Sequence, residues 1–461
     1  MTQFDLVVIG SGPAGEKGAA QAAYFGKRVA LVERAPEPGG AAVHTGTLPS
    51  KTLREASVYL SGHRQRELYG ISLSLDPAQA TPRLLSRKDA VRTLEVSRIR
   101  ANLDRHRVTQ ITAHARFLDA STVEVIATGR TERLTAERFL IATGSRPYQP
   151  NTMDFTDPGI HDSDSILRFE HMPRSLAILG GGVIGCEYAT MFAALGVPVQ
   201  LVEPRDTLLP FLDAEISEQL RLAMLGLGIE LHLGDGYRAV RRVPGVGIVT
   251  GLAGGAEIAS DQVLFAAGRS GNTGDLGLEE AGVAVGQRGY ILVDDDYRTS
   301  VPHIYAAGDC VGFPALASTS MEQARVAVCH AFGFAYKRQV SELLPYGVYT
   351  IPEVSSVGLT ERQAGERTIP VVVGRAFYRD NARGKIVGDR DGLVKLLFAR
   401  DTRQLIGCHC IGEHATELVH VGQGMILLGG TVETLIEMVF NYPTLAELYK
   451  YAAYDALDRW E

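Results

Sequence analysis

Residues 7–15 read VVIGSGPAG, and residues 177–185 read AILGGGVIG. In each stretch, glycines with G-x-G-x-x-G spacing follow an apolar run typical of a strand and precede a run typical of a helix. The recurring glycines, each shifted by 170 residues, are Gly10, Gly12 and Gly15 in the first copy and Gly180, Gly182 and Gly185 in the second. Because position and context both recur, the repeat predicts two strand–turn–helix units of the same kind.

This spacing is typical of folds that bind a dinucleotide. The first glycine allows the tight turn, the second lets the backbone approach a pyrophosphate, and the third allows close packing of helix on strand. The pyrophosphate then lies at the helix N-terminus, where free N–H groups and the helix dipole favour an anion. In each copy an acid follows 18 residues after the last glycine, Glu33 in VALVERA and Glu203 in VQLVEPR. Each acid is expected to accept hydrogen bonds from a ribose, so we predict an α/β chain with two Rossmann-like domains.

Length and composition limit the class of protein. A chain of 461 residues exceeds one hydrophobic core, so several domains are expected. The net charge is −7 and long basic blocks are absent, so we expect no nucleic-acid partner. An apolar run of about 18 residues is also absent, so no membrane partner is expected. The start shows no secretory pattern and the five cysteines form no disulfide framework, which favours a cytoplasmic protein.

Two further segments predict how the chain is divided into domains. FLIATGSRP (139–147) and IYAAGDC (304–310) each read as a strand that ends in a glycine turn. They suggest that the segments before and after the second nucleotide-binding fold both belong to the first fold. The predicted domains are a first nucleotide-binding segment at 1–149, a second nucleotide-binding domain at 150–270, a returning segment of the first domain at 271–340 and a further domain at 341–461.

The motifs resemble the pyridine nucleotide–disulfide oxidoreductases, which include glutathione reductase and dihydrolipoamide dehydrogenase. The resemblance covers essentially the whole chain and implies a glutathione-reductase-like fold. It implies that the first fold holds FAD and that the second binds NAD(H) or NADP(H) as substrate. Asp309 would contact the FAD ribitol. It also implies that 341–461 is an α+β dimerisation domain, so we expect a homodimer, with larger assemblies left open. The further residues expected to bind cofactor are Gly39, Thr143, Gly144 and Gly268.

The segment GGAAVHTGTLPSK (39–51) departs from the disulfide reductases of this family. In those enzymes it carries two cysteines that take electrons from the flavin, whereas this chain has Ala42 and Thr47 there. The reductases also carry a His-Pro pair near the C-terminus, and here Tyr442 precedes Pro443, although Glu447 remains. A phenol with a pKa near 10 is a poor proton shuttle at neutral pH, whereas a histidine with a pKa near 6.5 is a good one. We therefore expect no disulfide reduction.

Two charged residues are the candidate catalytic groups. The resemblance implies that Lys51, in the segment above, and Glu187, two residues after Gly185, form an ion pair beside the flavin atom where hydride arrives. Lys51 would also contribute to cofactor binding. A buried lysine is costly alone and tolerable with a carboxylate partner. The role of the pair would be electrostatic, and no metal site is expected.

Three segments are similar to one subfamily, the soluble pyridine nucleotide transhydrogenases. They are FTDPGIHDSDSIL (155–167), YGVYTIPEVSSVG (346–358) and FNYPTLAE (440–447). The resemblance implies hydride transfer between NADPH and NAD⁺ through FAD, with no disulfide intermediate. One nucleotide site serving both substrates predicts ping-pong kinetics.

Nucleotide preference stays open at this point, as do two rival functions. Glu203 suits the free 2′-hydroxyl of NAD, whereas Arg205 suits the 2′-phosphate of NADP, so the site either admits both or prefers NAD with Arg205 solvated. The first rival is an NAD(P)H dehydrogenase that passes electrons to quinones or other acceptors. The second is a non-catalytic, flavin-bearing docking subunit. The direction of transfer is likewise open.

Overall fold

A computed structural model describes residues 2–62, Tyr69 and residues 77–460. The strands, in chain order, are β1 (Thr2–Ile9), β2 (Val29–Glu33), β3 (Thr109–Thr112), β4 (His114–Asp119), β5 (Thr122–Ala127), β6 (Arg130–Ile141), β7 (Ser145–Pro147), β8 (Ile160–His161), β9 (Leu176–Leu179), β10 (Val199–Glu203), β11 (Glu230–Leu233), β12 (Tyr237–Val243), β13 (Gly247–Leu252), β14 (Glu257–Ser260), β15 (Gln262–Phe265), β16 (Arg269–Gly271), β17 (Ile304–Ala306), β18 (Tyr346–Val348), β19 (Glu353–Gly358), β20 (Val371–Phe377), β21 (Leu393–Ala399) and β22 (Leu405–Gly412).

The α-helices, in chain order, are α1 (Pro13–Tyr24), α2 (Gly40–His44), α3 (Thr47–Ser61), α4 (Pro77–Arg105), α5 (Val183–Ala194), α6 (Ala214–Gly226), α7 (Leu278–Ala281), α8 (Ala317–Phe332), α9 (Glu361–Glu366), α10 (Ala382–Val387), α11 (Ala415–Leu427), α12 (Val432–Glu437) and α13 (Leu448–Asp458). Short 3₁₀ helices lie at Ile166–Arg168, Gln287–Gly289, Asp309–Val311, Tyr378–Asp380 and Leu445–Glu447. The described residues form two compact units. Unit 1 takes them from Met1–Thr52, Leu85–Tyr148 and Gly268–Ser341, and unit 2 from Leu53–Leu84, Gln149–Ala267 and Glu342–Glu461.

Unit 1 is built on a seven-stranded sheet. Its order is β3-β2-β1-β6-β5-β4, and β17 pairs with β6 in parallel at the point where the chain returns from residue 304. β1 lies parallel to both β2 and β6, and its first-motif turn leads into α1. Val29 through Val32 are all buried, as expected for a parallel strand covered on both faces. A Cβ added at Gly18 of α1 would lie 2.5 Å from Leu140 Cδ2, so this helix packs closely on the sheet.

Unit 2 contains a second sheet of the same type. Its order is β11-β10-β9-β15-β8, and all of its pairings are parallel. The four residues of β9 are fully buried, which agrees with a central strand, and the second-motif turn leads from it into α5. An antiparallel sheet of order β12-β13-β14 follows. Both glycine motifs therefore lie where a parallel strand ends and a helix begins, the edge at which open α/β sheets bind ligands.

The C-terminal part of unit 2 is an antiparallel sheet covered by helices. Its order is β18-β19-β22-β21-β20. Its core includes Phe398 of β21, Cys408 of β22 and Tyr449 of α13, all 0% exposed. The sequence runs GLVKLLFA (392–399) and QLIGCHCIG (404–412) predict antiparallel strands, and β21 and β22 confirm them. Residues 416–428 and 445–457 have sequences that predict helices, and they form α11 and the 3₁₀ turn that leads into α13.

The sheets confirm the predicted fold class, two Rossmann-like folds with a C-terminal α+β part. The four-part division at 1–149, 150–270, 271–340 and 341–461 stays a prediction. Within the part of the chain that the structure describes, no helix has both the length and the apolar character needed to cross a membrane.

Candidate nucleotide-binding sites

The first glycine turn has the geometry that the motif predicts. Gly10 has a φ of +99°, in the region that favours glycine. A Cβ at Gly15 would lie 1.8 Å from the carbonyl oxygen of Gly10, so any side chain there would prevent the turn. Gly12 is different, because a Cβ at this position would meet nothing closer than the Gly40 Cα at 4.0 Å. Gly12 therefore borders open space at the N-terminus of α1, where a pyrophosphate could approach the backbone.

Glu33 lies at the end of β2 beside this turn. Its Oε2 accepts hydrogen bonds from the backbone N–H of Ser11 at 2.9 Å and from the Ser11 hydroxyl at 2.6 Å. Its Oε1 accepts one from the N–H of Ala35 at 2.9 Å. The Ser11 hydroxyl also accepts a hydrogen bond from the N–H of Gly39, whose φ is +121°. Glu33 and Gly39 are thus both hydrogen-bonded to one residue, Ser11.

A cavity lies beside Glu33. Its lining includes Pro36, Arg100 and Thr112, from the ends of β2 and β3 and from α4. Three arginines of α4 form ion pairs or hydrogen bonds with acids or backbone, namely Arg92, Arg98 and Arg100. Arg92 pairs with Glu37 at 2.5 Å, and Arg100 donates to a backbone carbonyl at 3.2 Å.

Asp309 and the turn after β6 lie in the same unit. Ser145 donates a hydrogen bond to Asp309 Oδ2 at 3.0 Å, and Ser320 of α8 donates to Oδ1 at 3.4 Å. Gly144 has a φ of +69°. Two buried hydroxyls, those of Thr143 and of Thr319 in α8, have no hydrogen-bond partner among the described residues. Buried hydroxyls are normally paired, so these two mark polar positions suited to a ligand.

These features fit FAD. Open space at Gly12, a carboxylate at the end of β2, the unpaired Thr143 and Thr319 hydroxyls and the Asp309 carboxylate occupy one compact unit. A dinucleotide needs an anion site, a ribose acceptor and polar contacts along its length. The residues present provide each of these.

The second glycine turn repeats the geometry of the first. Gly180 has a φ of +117°, and a Cβ at Gly185 would lie 1.8 Å from its carbonyl oxygen. A Cβ at Gly182 would meet nothing within 4 Å, so this glycine also borders open space, at the N-terminus of α5. Gly268, which was expected to bind cofactor, has a φ of +117° and lies in unit 1, where its carbonyl accepts a hydrogen bond from the Tyr148 N–H at 3.1 Å.

Glu203 at the end of β10 is buried and paired. Its carboxylate accepts a hydrogen bond from the Gly181 N–H at 2.6 Å, and Arg205 donates to it through Nε at 2.6 Å and Nη2 at 3.1 Å. Burial alone would raise the pKa of Glu203, but the Arg205 and Gly181 hydrogen bonds outweigh burial and lower it. Arg205 is therefore bound to Glu203 and not simply solvated, although 52% of its side chain is exposed.

Lys51 lies in unit 1, on the first turns of α3. Its ammonium donates to the Ser50 hydroxyl at 3.4 Å. Ala42 lies in α2, and Thr47 is the first residue of α3. α2 and α3 therefore form with alanine and threonine at the two positions where the disulfide reductases carry cysteine. Cys186, Cys310, Cys329, Cys408 and Cys410 are all buried elsewhere.

Glu187 lies in unit 2, on α5, and is 4% exposed. Its Oε1 accepts a hydrogen bond from the backbone N–H of Tyr349 at 2.9 Å. Lys51 and Glu187 belong to different compact units, and the ion pair between them stays a prediction.

Tyr442 is 74% exposed, at the position that carries histidine in the disulfide reductases. The Glu447 carboxylate accepts hydrogen bonds from Tyr451 at 3.5 Å and from Asn381 at 3.4 Å. The charge of Glu447 raises the pKa of Tyr451. In place of a histidine, the partners of Glu447 are thus a tyrosine hydroxyl and an asparagine amide, both in unit 2.

Sequence reasoning missed several residues that hold the predicted ones in place. Ser11 could have been found by aligning the two glycine motifs, since the second copy has Gly181 at this position. The Tyr349 N–H and the Thr319 hydroxyl had no local signal. Tyr349 is 162 residues from its partner, and a helical threonine is unremarkable in sequence.

Comparison with known proteins agrees with the fold and with these motifs. The family model described as pyridine nucleotide-disulphide oxidoreductase matches residues 4–331, and the model of its dimerisation domain matches residues 344–453. A protein of Mycobacterium bovis named soluble pyridine nucleotide transhydrogenase is 47% identical over 461 residues, covering 100% of this chain and 98% of the relative. A protein of the same name from Pseudomonas fluorescens is 42% identical, covering 99% and 98%.

Solved structures are similar over nearly the full length. LpdA from Mycobacterium tuberculosis has a TM-score of 0.89 at 27% identity, covering 98% of this chain and 99% of the other. The HOCl-induced flavoprotein disulfide reductase RclA from Escherichia coli has a TM-score of 0.87 at 26% identity, covering 97% and 98%. This chain therefore belongs to the pyridine nucleotide–disulphide oxidoreductase family and is an oxidoreductase that uses FAD and a nicotinamide nucleotide.

Proposed function

We propose that the protein transfers hydride between NADPH and NAD⁺ and that it uses no dithiol. The observation that carries this proposal is the combination of two complete dinucleotide-binding turns with Ala42 and Thr47 at the cysteine positions. Neither side chain can form a thiolate or a disulfide. The relatives named soluble pyridine nucleotide transhydrogenase support the same activity.

The chain's own residues would bind and orient the two nucleotides. In unit 1, Gly12 and the N-terminus of α1 would hold the FAD pyrophosphate, Glu33 the ribose and Asp309 the ribitol. Thr143, Gly144 and Gly39 would add contacts from neighbouring turns. When bound, FAD supplies a group that accepts hydride from one nicotinamide nucleotide and passes it to another.

In unit 2, Gly182 and the N-terminus of α5 would hold the pyrophosphate of the nicotinamide nucleotide. Gly180 and Gly185 shape that turn, and the Glu203 carboxylate would accept hydrogen bonds from the ribose hydroxyls. Gly268, which lies in unit 1, is proposed to contribute to cofactor binding. Because both substrates would use one site in turn, ping-pong kinetics are expected.

Lys51 and Glu187 are proposed to act electrostatically where hydride is transferred. The lysine charge would stabilise negative charge that develops during transfer, and Glu187 would orient the lysine. Orientation of the reacting atoms at roughly 3–3.5 Å would account for much of the remaining rate.

We further propose a homodimer in the cytoplasm, formed through residues 341–461. The match to a dimerisation domain supports the dimer, and the word soluble in the names of the relatives supports the location. The division into domains at 149, 270 and 340 is part of the same proposal.

A stopped-flow experiment tests the function. The FAD-loaded protein is mixed with NADPH and then with NAD⁺ while flavin absorbance is followed. We expect bleaching by the first nucleotide and recovery with the second, at rates that match steady-state turnover. Steady-state rates with a thio-NAD⁺ analogue and with a quinone are then compared. Fast quinone reduction with slow recovery by NAD⁺ would identify an NAD(P)H dehydrogenase, and no bleaching at all would leave a docking subunit.

A further inference from the structure

The two glycine motifs of this chain differ in how their acids are occupied. In the first fold, Glu33 accepts three hydrogen bonds from described residues, two from Ser11 and one from the N–H of Ala35. An ionised carboxylate offers about four lone-pair sites. One acceptor site therefore remains on Oε1, and the alanine side chain at the second position after the acid cannot donate to it.

In the second fold the corresponding carboxylate is saturated. Glu203 Oε1 accepts from the N–H of Arg205 at 3.1 Å and from its Nε at 2.6 Å. Oε2 accepts from the N–H of Gly181 at 2.6 Å and from Arg205 Nη2 at 3.1 Å. These four hydrogen bonds use the about four lone-pair sites of the group. A ribose hydroxyl cannot donate to this carboxylate while the guanidinium remains.

Two of the four bonds come from the backbone and two from the Arg205 side chain. The backbone bonds have counterparts in the first fold, where the N–H groups of Ser11 and Ala35 donate to Glu33. If the guanidinium left, one acceptor site would open on each oxygen of Glu203. Two sites on one carboxylate match the two neighbouring hydroxyls of an adenosine ribose. The guanidinium therefore occupies the positions that a ribose diol would take.

We infer that Arg205 competes with the ribose of NAD(H) for Glu203 and that this competition sets the relative affinity for the two nucleotides. The inference rests on the proposed function, in which both nucleotides use this site. NAD(H) must displace the guanidinium and offers it no new partner. NADP(H) also displaces it, but its 2′-phosphate can pair with the released guanidinium in bidentate fashion. Arg205 thus weakens NAD(H) binding and strengthens NADP(H) binding, which brings two unlike substrates closer in affinity.

The sign of one effect separates this inference from simpler roles. If Arg205 were only a phosphate ligand, its removal would weaken NADP⁺ and leave NAD⁺ unchanged. If it had no role, both affinities would stay the same. Competition alone predicts that removing the side chain tightens NAD⁺.

The test is equilibrium binding of NAD⁺ and of NADP⁺ to the oxidised, FAD-loaded protein by calorimetric titration. Arg205→Ala places in the second fold the side chain that the first fold has at Ala35. We expect NAD⁺ to bind about threefold or more tightly, since a half-exposed ion pair is weak, and NADP⁺ about tenfold or more weakly. Arg205→Lys, which cannot make the bidentate contact, should fall between wild type and the alanine variant for both nucleotides.

Arg221→Ala is the matched control. Arg221 pairs with Glu218 within α6 of the same unit, so this variant loses the same charge without touching the motif. It should bind both nucleotides as the wild type does. Unchanged or weaker NAD⁺ binding in Arg205→Ala would overturn the inference, as would an equal gain in the Arg221 control.

The binding data are independent of turnover. If the opposite shifts appear while NAD⁺ fails to restore the flavin absorbance, the inference stands and the proposed transhydrogenation fails. If hydride transfer to NAD⁺ occurs but the two affinities do not shift, the proposed transhydrogenation stands and the inference about Arg205 fails. Wild-type protein that binds neither nucleotide would overturn both.

Discussion

The carboxylate of Glu187 accepts a hydrogen bond from the backbone N–H of Tyr349, with 2.9 Å between Oε1 and N. One turn further along α5, the Thr190 hydroxyl accepts a hydrogen bond from the N–H of Ile351 at 3.1 Å. Two successive links therefore join α5 to the short stretch before β19. Because Glu187 is buried, a backbone donor and not solvent fixes the direction of its carboxylate.

Lys51→Met should keep the fold and FAD but slow hydride transfer. Removing one preorganised electrostatic partner typically costs about 10²–10³ in rate. Glu187→Gln should do less harm, because the lysine charge remains and the amide oxygen can still accept from Tyr349. The double variant should be less impaired than the product of the single effects, since residues that act together are not additive. The measurement is single-turnover bleaching of the flavin by NADPH. A wild-type rate in Lys51→Met would exclude an electrostatic role.

Gly12→Ala and Gly182→Ala form a matched pair that tests which fold holds which nucleotide. Neither new methyl group would clash with described protein atoms, so both variants should fold. Each methyl would fill space next to a predicted pyrophosphate. We expect Gly12→Ala to lose FAD affinity by about tenfold or more and Gly182→Ala to keep FAD but bind NADP⁺ about tenfold more weakly. Flavin content after dialysis and nucleotide titration measure the two effects. Loss of FAD from Gly182→Ala would reverse the assignment.

The thiols should be unreactive in the native protein. All five cysteines are buried, and burial raises the pKa of Cys310 to about 12 and also raises that of Cys186. The thiolate is the nucleophile, so a disulfide reagent at pH 8 should label few thiols until the protein is unfolded. NADPH should bleach the flavin without a long-wavelength thiolate–flavin band, because Ala42 and Thr47 replace the cysteines. A fast-reacting thiol whose modification stops transfer would contradict this expectation.

Arg54→Met should destabilise the protein strongly. Arg54 and Glu353 are both buried, with 3.0 Å between Nη1 and Oε1, and Arg54 also donates to the Thr350 carbonyl at 3.2 and 3.3 Å. Removing one partner of a buried pair costs about 3–5 kcal/mol, because the other charge stays buried. Arg174→Met is the control, since its pair with Asp261 has an arginine that is 88% exposed and should contribute at most about 1 kcal/mol. Denaturant unfolding measures the free energy of unfolding of both variants. Equal decreases would contradict the larger contribution expected from the buried pair.

A buried lysine joins α6 to the C-terminal sheet of unit 2. Lys395 is 1% exposed, and its ammonium lies 2.7 Å from Asp213 and 3.0 Å from Glu215, with Glu361 as a third partner. Burial alone would raise the pKa of Asp213 and of Glu215, but their cationic partners outweigh burial and lower both. Burial alone would lower the pKa of Lys395, and its hydrogen bonds to the acids raise it instead.

These shifts predict the pH dependence of stability. Carboxylates with lowered pKa values contribute stability above about pH 4, and that contribution is lost as pH falls through their folded pKa values. A lysine with a raised pKa contributes fully below about pH 10 and loses that contribution as pH rises through its folded value. Lys395→Met should therefore be most destabilising near pH 7. It should recover partly toward pH 5, because the buried Asp213 loses the lysine that helps to offset its burial and takes up a proton more readily. Denaturant unfolding at several pH values measures the difference in free energy of unfolding between Lys395→Met and the wild type. A difference that does not change with pH would contradict the prediction.

The sequence by itself determined the local features of this protein. A glycine turn between a strand and a helix depends on neighbouring residues, so both nucleotide folds and their acids were predictable from spacing. The absence of thiols at Ala42 and Thr47 was equally direct, because neither side chain carries the sulfur that a redox dithiol at those positions needs. The fold class followed from the same repeat.

Only the tertiary structure decided how the predicted groups are held. Glu187 depends on an N–H 162 residues away and Arg54 on a carboxylate 299 residues away, and no local pattern records such contacts. The saturation of Glu203 by Arg205 needed atomic distances, since the same two residues in sequence also permit a solvated arginine. Hydrogen bonds and burial arise from segments that meet only in the folded chain, and these decide which acceptor atoms remain for a ligand.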